Sequence, residues 1–305
     1  MKQRAIGSLS VSAVGLGCNN FGWRLDAART NDVVDAALDA GIDFFDTADL
    51  YGDGASEEYL GRALGARRSS VVIATKFGHE RSKFGKGTRP EHIRRALDGS
   101  LKRLGTDYVD LYQVHQPDPQ TPVSDTLATL GDLVREGKVR EIGCSNFSVE
   151  QLREAERATA SGAPRFVSVQ NEFSMLVRAP EQGVLAECAR QGIAFLPYFP
   201  LASGMLTGKY RRGQPIPEKS RLGEGRYDQF LGDRNYDIVE RLIAFAESRG
   251  HTMLELAISW LLAHPDVASV IAGATKPEQA RGNASAGAWE LSESEMRTVE
   301  ELLNG

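Results

Sequence analysis

Residues 41–52 read GIDFFDTADLYG and join a short apolar run to a polar loop. Apolar runs of this kind, bounded by turn signals, indicate buried parallel strands. This run ends on Asp46, and Tyr51 follows in the loop. The run VVIATK ends in the same way on Lys76, and YVDLYQVH ends on His115. Three successive strands therefore bring a carboxylate, an ammonium and an imidazole to one edge of a sheet, with a phenol just beyond it.

Strand-like runs alternate with amphipathic, helix-like runs through most of the chain. The predicted strands begin at Val14, Ile42, Val71, Tyr108, Val139, Phe166, Ile193 and Ala268. Strict alternation predicts a parallel sheet with right-handed crossovers. Eight such units predict a closed (β/α)8 TIM barrel, in which chemistry lies at the carboxyl-terminal edge of the strands. The competing architecture, an open doubly wound sheet, normally carries G-x-G-x-x-G, and here Asn20 stands where the third glycine is needed.

Three further segments lie outside this alternation. Residues 3–11 predict a short amino-terminal β-hairpin, and residues 291–302 predict an added carboxyl-terminal helix opened by a capping box of Ser292 and Glu295. Residues 201–233, rich in Gly, Pro and Arg, are too long for an ordinary βα loop. They predict a functional lid, with a disordered insertion as the alternative. We expect a single barrel domain across residues 1–305.

Composition narrows the class of protein. The chain has 305 residues, of which 41% are hydrophobic and 25% charged, and its net charge of −5 argues against a nucleic-acid partner. No signal-peptide pattern or membrane-span pattern is present, so we expect a cytoplasmic protein. Cys18, Cys144 and Cys188 are widely spaced, which predicts buried free thiols and no metal site.

The four polar residues permit proton-transfer chemistry. A free tyrosine has a pKa of about 10. A nearby lysine ammonium is expected to lower that pKa, and a carboxylate would hold the lysine charged. Asp46, Lys76 and Tyr51 would form such a relay, with Tyr51 as general acid or base and His115 bonding the same reacting oxygen. No nucleophile pattern accompanies them, so a hydride from a bound cofactor is the expected reactant. A structural ion pair between Asp46 and Lys76 is the alternative.

With these residues in place, the sequence resembles the aldo-keto reductases from about residue 15 to residue 283. The matching motifs are GIDFFDTADLYG, the strand-end Lys76 and His115, GCSNF at residues 143–147, and PYFPLASGMLTGKY. The resemblance implies a barrel that binds NADPH without a Rossmann motif. It also implies that Asp46, Tyr51, Lys76 and His115 act together, with tyrosine as the acid in carbonyl reduction.

The resemblance also implies contacts to the cofactor. Ser145 and Asn146 would bond the nicotinamide carboxamide, with Gln170 in the same cluster, and Tyr198 would stack on the nicotinamide ring. The remaining implied contacts are with the pyrophosphate (Leu201, Ser203, Lys209), over the cofactor (Arg221) and with the adenosine end (Thr275, Gln279, Asn283). Lys276 is expected near the amino terminus of the eighth helix, which makes it the candidate for pairing with a 2′-phosphate. For Lys276, a solvated surface lysine is the alternative.

The sequence departs from the family pattern near the cofactor. Phe199 stands where a small hydroxyl residue is usual. Gly273 and Gln279 replace a lysine and an arginine that one branch of the family uses on the 2′-phosphate, and Gly282 replaces a common acidic residue. NADPH is the cofactor that the resemblance implies, but these replacements weaken the expected preference for it, so NADH remains open as an alternative.

The leading hypothesis is an NADPH-dependent reductase that converts small aldehydes or ketones into alcohols. A regulatory subunit that senses nicotinamide redox state is the alternative, and a hydrolase lacks a second suitably placed carboxylate. We expect Trp23, Phe77 and the loops at residues 78–87 and 213–230 to wall the substrate pocket. Aromatic walls favour apolar or planar carbonyl compounds. The oligomeric state cannot be predicted from these patterns.

Overall fold

The computed structural model describes residues 1–159, 164–217, 220–225 and 227–305. In these ranges a parallel eight-stranded sheet has the order β10-β3-β4-β5-β6-β7-β8-β9. Its strands are β3 (Val14–Gly17), β4 (Phe44–Asp46), β5 (Val72–Phe77), β6 (Val109–Val114), β7 (Val139–Ser145), β8 (Ser168–Glu172), β9 (Ala194–Tyr198) and β10 (Val270–Gly273). A parallel bridge between Phe195 and Val267 nearly closes the sheet. The predicted barrel is confirmed.

Helices cover the outside of the barrel. They are α1 (Ala27–Asp39), α2 (Ala55–Leu64), α3 (Pro90–Leu104), α4 (Val123–Arg135), α5 (Val149–Thr159), α6 (Val184–Gln191), α7 (Asp233–Glu247), α8 (Met253–Leu262), α9 (Pro277–Ala286) and α10 (Glu293–Asn304). Local sequence sets several of their ends. The Asp26 side chain caps α1, Pro90 occupies the first turn of α3, and Gly105 ends α3 in the left-handed conformation.

The amino-terminal hairpin plugs the barrel. Strands β1 (Gln3–Ile6) and β2 (Leu9–Ser12) pair antiparallel, as the sequence predicted. Ile6, Leu9 and Val11 are buried in one apolar cluster with barrel residues that include Phe44 and Leu111. The interior beneath the functional edge is therefore filled with apolar side chains, and polar groups can collect above them.

The predicted carboxyl-terminal helix is present, and its first turn follows the predicted capping box. The Ser292 hydroxyl accepts from the Glu295 backbone N–H, while the Glu295 carboxylate accepts from the Ser292 backbone. The long segment after β9 contains short 3₁₀ turns at Ala202–Thr207, Leu222–Glu224 and Asp228–Phe230. Among the described residues we find no helix whose length and apolar character would let it span a bilayer.

Small differences from the predicted strand ends matter for the site. Strand β6 ends at Val114, so His115 lies one residue beyond it, held by a hydrogen bond from its backbone N–H to the Phe77 carbonyl. Tyr51 begins a 3₁₀ turn at Tyr51–Gly54 rather than lying in an irregular loop. Both residues still stand at the carboxyl-terminal edge of the barrel.

Candidate active site

A buried ion pair lies at the centre of this edge. Lys76 is fully buried and Asp46 is 2% exposed, and Lys76 Nζ lies 2.5 Å from Asp46 Oδ1. The ammonium also donates to the Thr47 carbonyl at 3.1 Å. Burial alone would lower the pKa of Lys76, but Asp46 and Tyr51 outweigh it and raise that pKa. Lys76 is therefore a fixed positive charge at neutral pH.

Two buried amides hold the other oxygen of Asp46. Gln113 Nε2 donates to Oδ2 at 3.2 Å, and Gln170 Nε2 donates to it at 2.9 Å. The sequence prediction placed Gln170 near the nicotinamide and missed Gln113. The sequence does contain a signal for Gln113. Residues two apart on a strand share a face, so Gln113 is expected on the same face as His115. The amides orient the carboxylate that orients the lysine.

Tyr51 lies beside this pair. Lys76 Nζ is 3.4 Å from Tyr51 Oη, as the predicted relay requires. The expected net lowering of the tyrosine pKa is wrong, however. Burial raises the pKa of Tyr51, and the nearby Lys76 charge opposes that effect without reversing it. The phenol therefore keeps its proton at neutral pH and can serve as a proton donor.

His115 completes the group of four. Its ring meets the Tyr51 ring edge-on, with 5.8 Å between centroids. Burial, followed by the positive charge of Lys76, holds the pKa of His115 well below its usual range. The imidazole is therefore neutral at physiological pH and carries one N–H donor. His79, to which sequence reasoning assigned no role, packs edge-on against His115, with 4.9 Å between the ring centroids.

The predicted nicotinamide cluster lies at the neighbouring strand ends. Asn146 Nδ2 donates to the His115 carbonyl at 3.0 Å, and Tyr198 Oη donates to Asn146 Oδ1 at 2.9 Å. Ser145 Oγ donates to the Gln170 carbonyl at 2.7 Å. Hydrogen bonds thus connect these four residues to one another and to His115. The hydroxyl end of the Tyr198 ring is held by Asn146.

The turn after β9 is conformationally unusual. Phe199, Ala202 and Ser203 have φ of 50°, 44° and 56°, a region that non-glycine residues seldom adopt. Leu201 lies within this turn, and the exposed Lys209 follows it, with Nζ beside Gly204. Ser203 Oγ is buried and has no hydrogen-bond partner among the described residues. Such an unpaired hydroxyl is the kind of group that a bound ligand satisfies.

The segment after this turn folds back across the barrel edge. Arg221 Nη2 donates to Asn20 Oδ1 at 3.1 Å, and the Arg221 guanidinium lies 5.5 Å from the centre of the Phe199 ring. Arg24 and Glu224 form an ion pair on the same side. Sequence reasoning missed Asn20 and this ion pair, because residues 200 positions apart give no local signal.

The predicted adenosine contacts surround the start of α9. The Thr275 backbone N–H and hydroxyl both donate to Gln279 Oε1, at 2.7 and 3.0 Å. Asn283 Nδ2 donates to the Gly273 carbonyl at 3.4 Å. Lys276 occupies the N-cap position, is exposed, and gives the helix no side-chain cap. A positive side chain and the helix amino terminus thus lie together.

The two predicted pocket residues have different surroundings. Trp23 is 50% exposed at the rim. Phe77 is fully buried and stacks on Tyr112 at 4.6 Å, so the prediction that it walls the pocket is corrected. It follows Lys76 on the strand and therefore faces away from the barrel interior. Within the predicted pocket loop at residues 213–230, positions 218, 219 and 226 lie outside the described residues.

Other expectations concern cysteines and metals. Cys18, Cys144 and Cys188 are free and buried, as expected. Among the described residues, no group of His, Cys, Asp and Glu side chains is arranged to hold a metal ion.

Comparisons with known proteins identify the family. A model of the aldo/keto reductase family matches residues 13–304. Aldo-keto reductase yakc of Schizosaccharomyces pombe, whose name specifies NADP(+), is 34% identical over 98% of this chain and 90% of its own length. A probable voltage-gated potassium channel subunit beta of Arabidopsis thaliana is 35% identical over 91% of this chain and 88% of its own. The solved glycerol dehydrogenase of Gluconobacter oxydans has a TM-score of 0.85 at 30% identity, covering 99% of this chain and 94% of that one.

The chain therefore belongs to the aldo/keto reductase family, and the predicted resemblance is confirmed. It is an oxidoreductase of that family, whose members bind nicotinamide cofactors and act on small-molecule carbonyl substrates.

Two buried carboxylates flank Tyr51 in the sequence. Asp49 and Glu57 are both fully buried, and Arg103 Nε donates to Glu57 Oε2 at 2.6 Å. Burial, followed by the neighbouring Glu57 charge, raises the pKa of Asp49 to about 7, against the opposing effects of Arg103 and Ser82. The folded protein therefore keeps a proton on Asp49 at a pH where the unfolded chain has released it.

This proton gives a testable pH dependence of stability. The folded pKa of Asp49 is above its unfolded value, so the free energy of unfolding falls as pH rises from about 4 to about 7. Asp49→Asn removes this loss. From pH 5 to pH 8, we expect the free energy of unfolding of the wild type, measured in urea, to fall by about 2–3 kcal/mol more than that of Asp49→Asn.

The control is Asp53→Asn in the same turn, since the Asp53 side chain is 70% exposed. It should keep the wild-type dependence of stability on pH. If the free energy of unfolding changed equally with pH in the wild type and in Asp49→Asn, Asp49 would be ionised in the folded protein across this pH range.

Proposed function

We propose that this protein is an NADPH-dependent reductase of aldehyde or ketone carbonyls, with Tyr51 as the general acid. The arrangement that supports this most strongly is the buried Asp46–Lys76 pair, with Lys76 Nζ 3.4 Å from a protonated Tyr51 phenol and a neutral His115 beside it. A single-domain organisation and a cytoplasmic location belong to the same proposal.

Each of the four residues has a distinct task. A carbonyl oxygen placed between Tyr51 and His115 receives one hydrogen bond from the phenol and one from the neutral imidazole, which polarises the carbon. As the carbon gains a hydride, negative charge develops on the oxygen, and Tyr51 gives that oxygen its proton. Lys76 stabilises the resulting phenolate, and Asp46 keeps Lys76 in position. When bound, the nicotinamide cofactor supplies the hydride.

The residues along the edge suit such a cofactor. Tyr198 presents a ring whose hydroxyl is fixed by Asn146, and a fixed ring is suited to stacking. Gln170 uses Nε2 on Asp46, so its amide oxygen is the atom left to accept from a carboxamide. Ser203 Oγ, buried and unpartnered in the described residues, and Lys209 would contact the pyrophosphate, while Arg221 would cover it. Leu201, Thr275, Gln279 and Asn283 complete the proposed lining.

Tyr51→Phe tests the chemical role directly. It removes the proton donor and keeps the ring, so we expect kcat for carbonyl reduction to fall about 10²–10⁴-fold. Affinity for NADPH, measured by quenching of protein fluorescence, should stay within about twofold, because the proposed cofactor contacts are made by other residues.

The matched control is Tyr59→Phe, which removes a hydroxyl from the surface of α2, beside Arg62. It should reduce carbonyls at the wild-type rate. A Tyr51→Phe enzyme with nearly normal kcat would rule out Tyr51 as the acid, and no turnover by the wild type on a broad carbonyl panel would rule out the reductase.

The preference for NADPH rests on one exposed lysine. Lys276 stands at the N-cap of α9, where a cation and the positive end of the helix dipole can meet a phosphate together. We expect Lys276→Gln to weaken NADPH binding about 5- to 50-fold in fluorescence titrations and to leave NADH binding unchanged.

Lys102→Gln, a change of the same charge at the end of α3, should alter neither affinity. If Lys276→Gln leaves NADPH binding unchanged, Lys276 is a solvated lysine. Equal wild-type affinities for the two cofactors would remove the basis for NADPH specificity.

A regulatory role is the second candidate, favoured by the similarity to a probable potassium channel subunit beta. A redox-sensing subunit would bind nicotinamide cofactor through the same site and turn over slowly. The intact group of four favours catalysis. A stoichiometric protein partner together with negligible turnover would reverse this order.

A further inference from the structure

The loop after β5 lies beside the four candidate catalytic residues, because its His79 packs against His115. We call residues 78–88 the rim loop. Its two ends are joined by a hydrogen bond of 3.0 Å from the Gly87 backbone N–H to the Gly78 carbonyl. Asp118 accepts from the Thr88 backbone N–H at 2.8 Å and anchors the loop to the segment that follows His115. The rim loop therefore has a defined position relative to the catalytic edge.

His79 and Arg81 bring the rim loop close to His115, where the carbonyl oxygen of a substrate would lie. The His79 ring packs edge-on against His115 at 4.9 Å, and His79 Nδ1 accepts from the Arg81 backbone N–H at 3.1 Å. The Arg81 backbone is thus one hydrogen bond away from a ring that touches His115. Since Nδ1 is an acceptor, neutral His79 carries its proton on Nε2.

The rim loop carries a net positive charge. It contains three cationic residues, Arg81, Lys83 and Lys86, and one carboxylate, Glu80. Lys83 lies 3.9 Å from Asp53, and Arg24 pairs with Glu224. The Arg81 guanidinium is exposed, and among the described residues it forms no hydrogen bond or ion pair. Arg81, like the exposed Lys86, is therefore a rim-loop cation without an ion-pair partner among the described residues.

The effect of this cation reaches the catalytic imidazole. After burial, the charges that lower the pKa of His115 are those of Lys76, His79 and Arg81. At His79, burial and then Arg81 lower the pKa, and Glu80 opposes them more weakly. Lys76 is paired with Asp46 at 2.5 Å, whereas Arg81 adds a smaller positive effect on His115 from the exposed rim loop.

We propose that Arg81 selects carbonyl substrates that carry an anionic group, a carboxylate or a phosphate, a few bonds from the reacting carbon. Arginine binds both anions through paired N–H donors. The carbonyl oxygen would lie between Tyr51 and His115, while the anion reaches the rim loop. This proposal rests on the reductase function above and adds a substrate class that the predicted aromatic pocket does not imply.

The test compares matched pairs of substrates with saturating NADPH. The carboxylate arm uses 4-oxobutanoate against butanal, and the phosphate arm uses glyceraldehyde 3-phosphate against glyceraldehyde. For Arg81→Gln we expect kcat/KM to fall about 3- to 10-fold on at least one anion and to stay constant on both neutral aldehydes. The arm that responds identifies the anion. Raising KCl from about 20 to about 500 mM should weaken the wild-type preference for that anion.

Lys83→Gln is the control, because it removes the same charge from the same loop at a residue that faces Asp53. It should leave both ratios of anionic to neutral kcat/KM unchanged. Equal losses in the two variants, or constant ratios in Arg81→Gln, would overturn the proposal and leave the reductase function intact.

A binding measurement separates this proposal from the proposed function. Calorimetric titration with succinate and with inorganic phosphate should show weaker binding to Arg81→Gln than to the wild type for the anion that is recognised. If the wild type reduces none of the four aldehydes and nothing in the broad carbonyl panel, the reductase function fails. Equal binding of both anions to the wild type and to Arg81→Gln would then overturn the role of Arg81 independently.

Discussion

The fully buried contact between Lys76 and Asp46 is the interaction on which the rest of the site depends. Removing two charges from water costs several kcal/mol for each ion, and a buried pair persists only when its other hydrogen-bonding groups are satisfied. Here Gln113 and Gln170 donate to the second carboxylate oxygen, and the Thr47 carbonyl accepts from the ammonium. Breaking any of these contacts would leave charge or hydrogen-bonding capacity unpaired in the barrel interior.

The protonation states of Tyr51 and His115 are set beside this pair. Because burial outweighs Lys76, the pKa of the Tyr51 phenol is raised and the proton stays on it. Because His115 is buried near positive charge, its pKa is lowered and the imidazole stays neutral. A protonated phenol and a neutral imidazole can both donate to one carbonyl oxygen, which is the arrangement that reduction requires.

The barrel and the group of four could be predicted from sequence, because alternation and strand ends are local patterns. Asp46, Lys76 and His115 end three successive apolar runs, and parallel strands bring such ends together. The same periodicity could have placed Phe77 correctly, since it neighbours the inward-facing Lys76 and must face outward. The direction of the Tyr51 pKa could not be predicted, because it depends on how burial compares with the Lys76 charge. The Arg24–Glu224 ion pair depends on how distant segments fold back, which no local pattern encodes.

The pH dependence of kcat/KM for carbonyl reduction, followed at saturating NADPH into the alkaline range, tests the state of Tyr51 most directly. A phenol whose pKa is above its ordinary value of about 10 should sustain reduction through neutral pH, with the rate falling only beyond that value. An alkaline limb centred well below pH 9 would contradict this, because it would mean that Lys76 lowers the phenol pKa more than burial raises it.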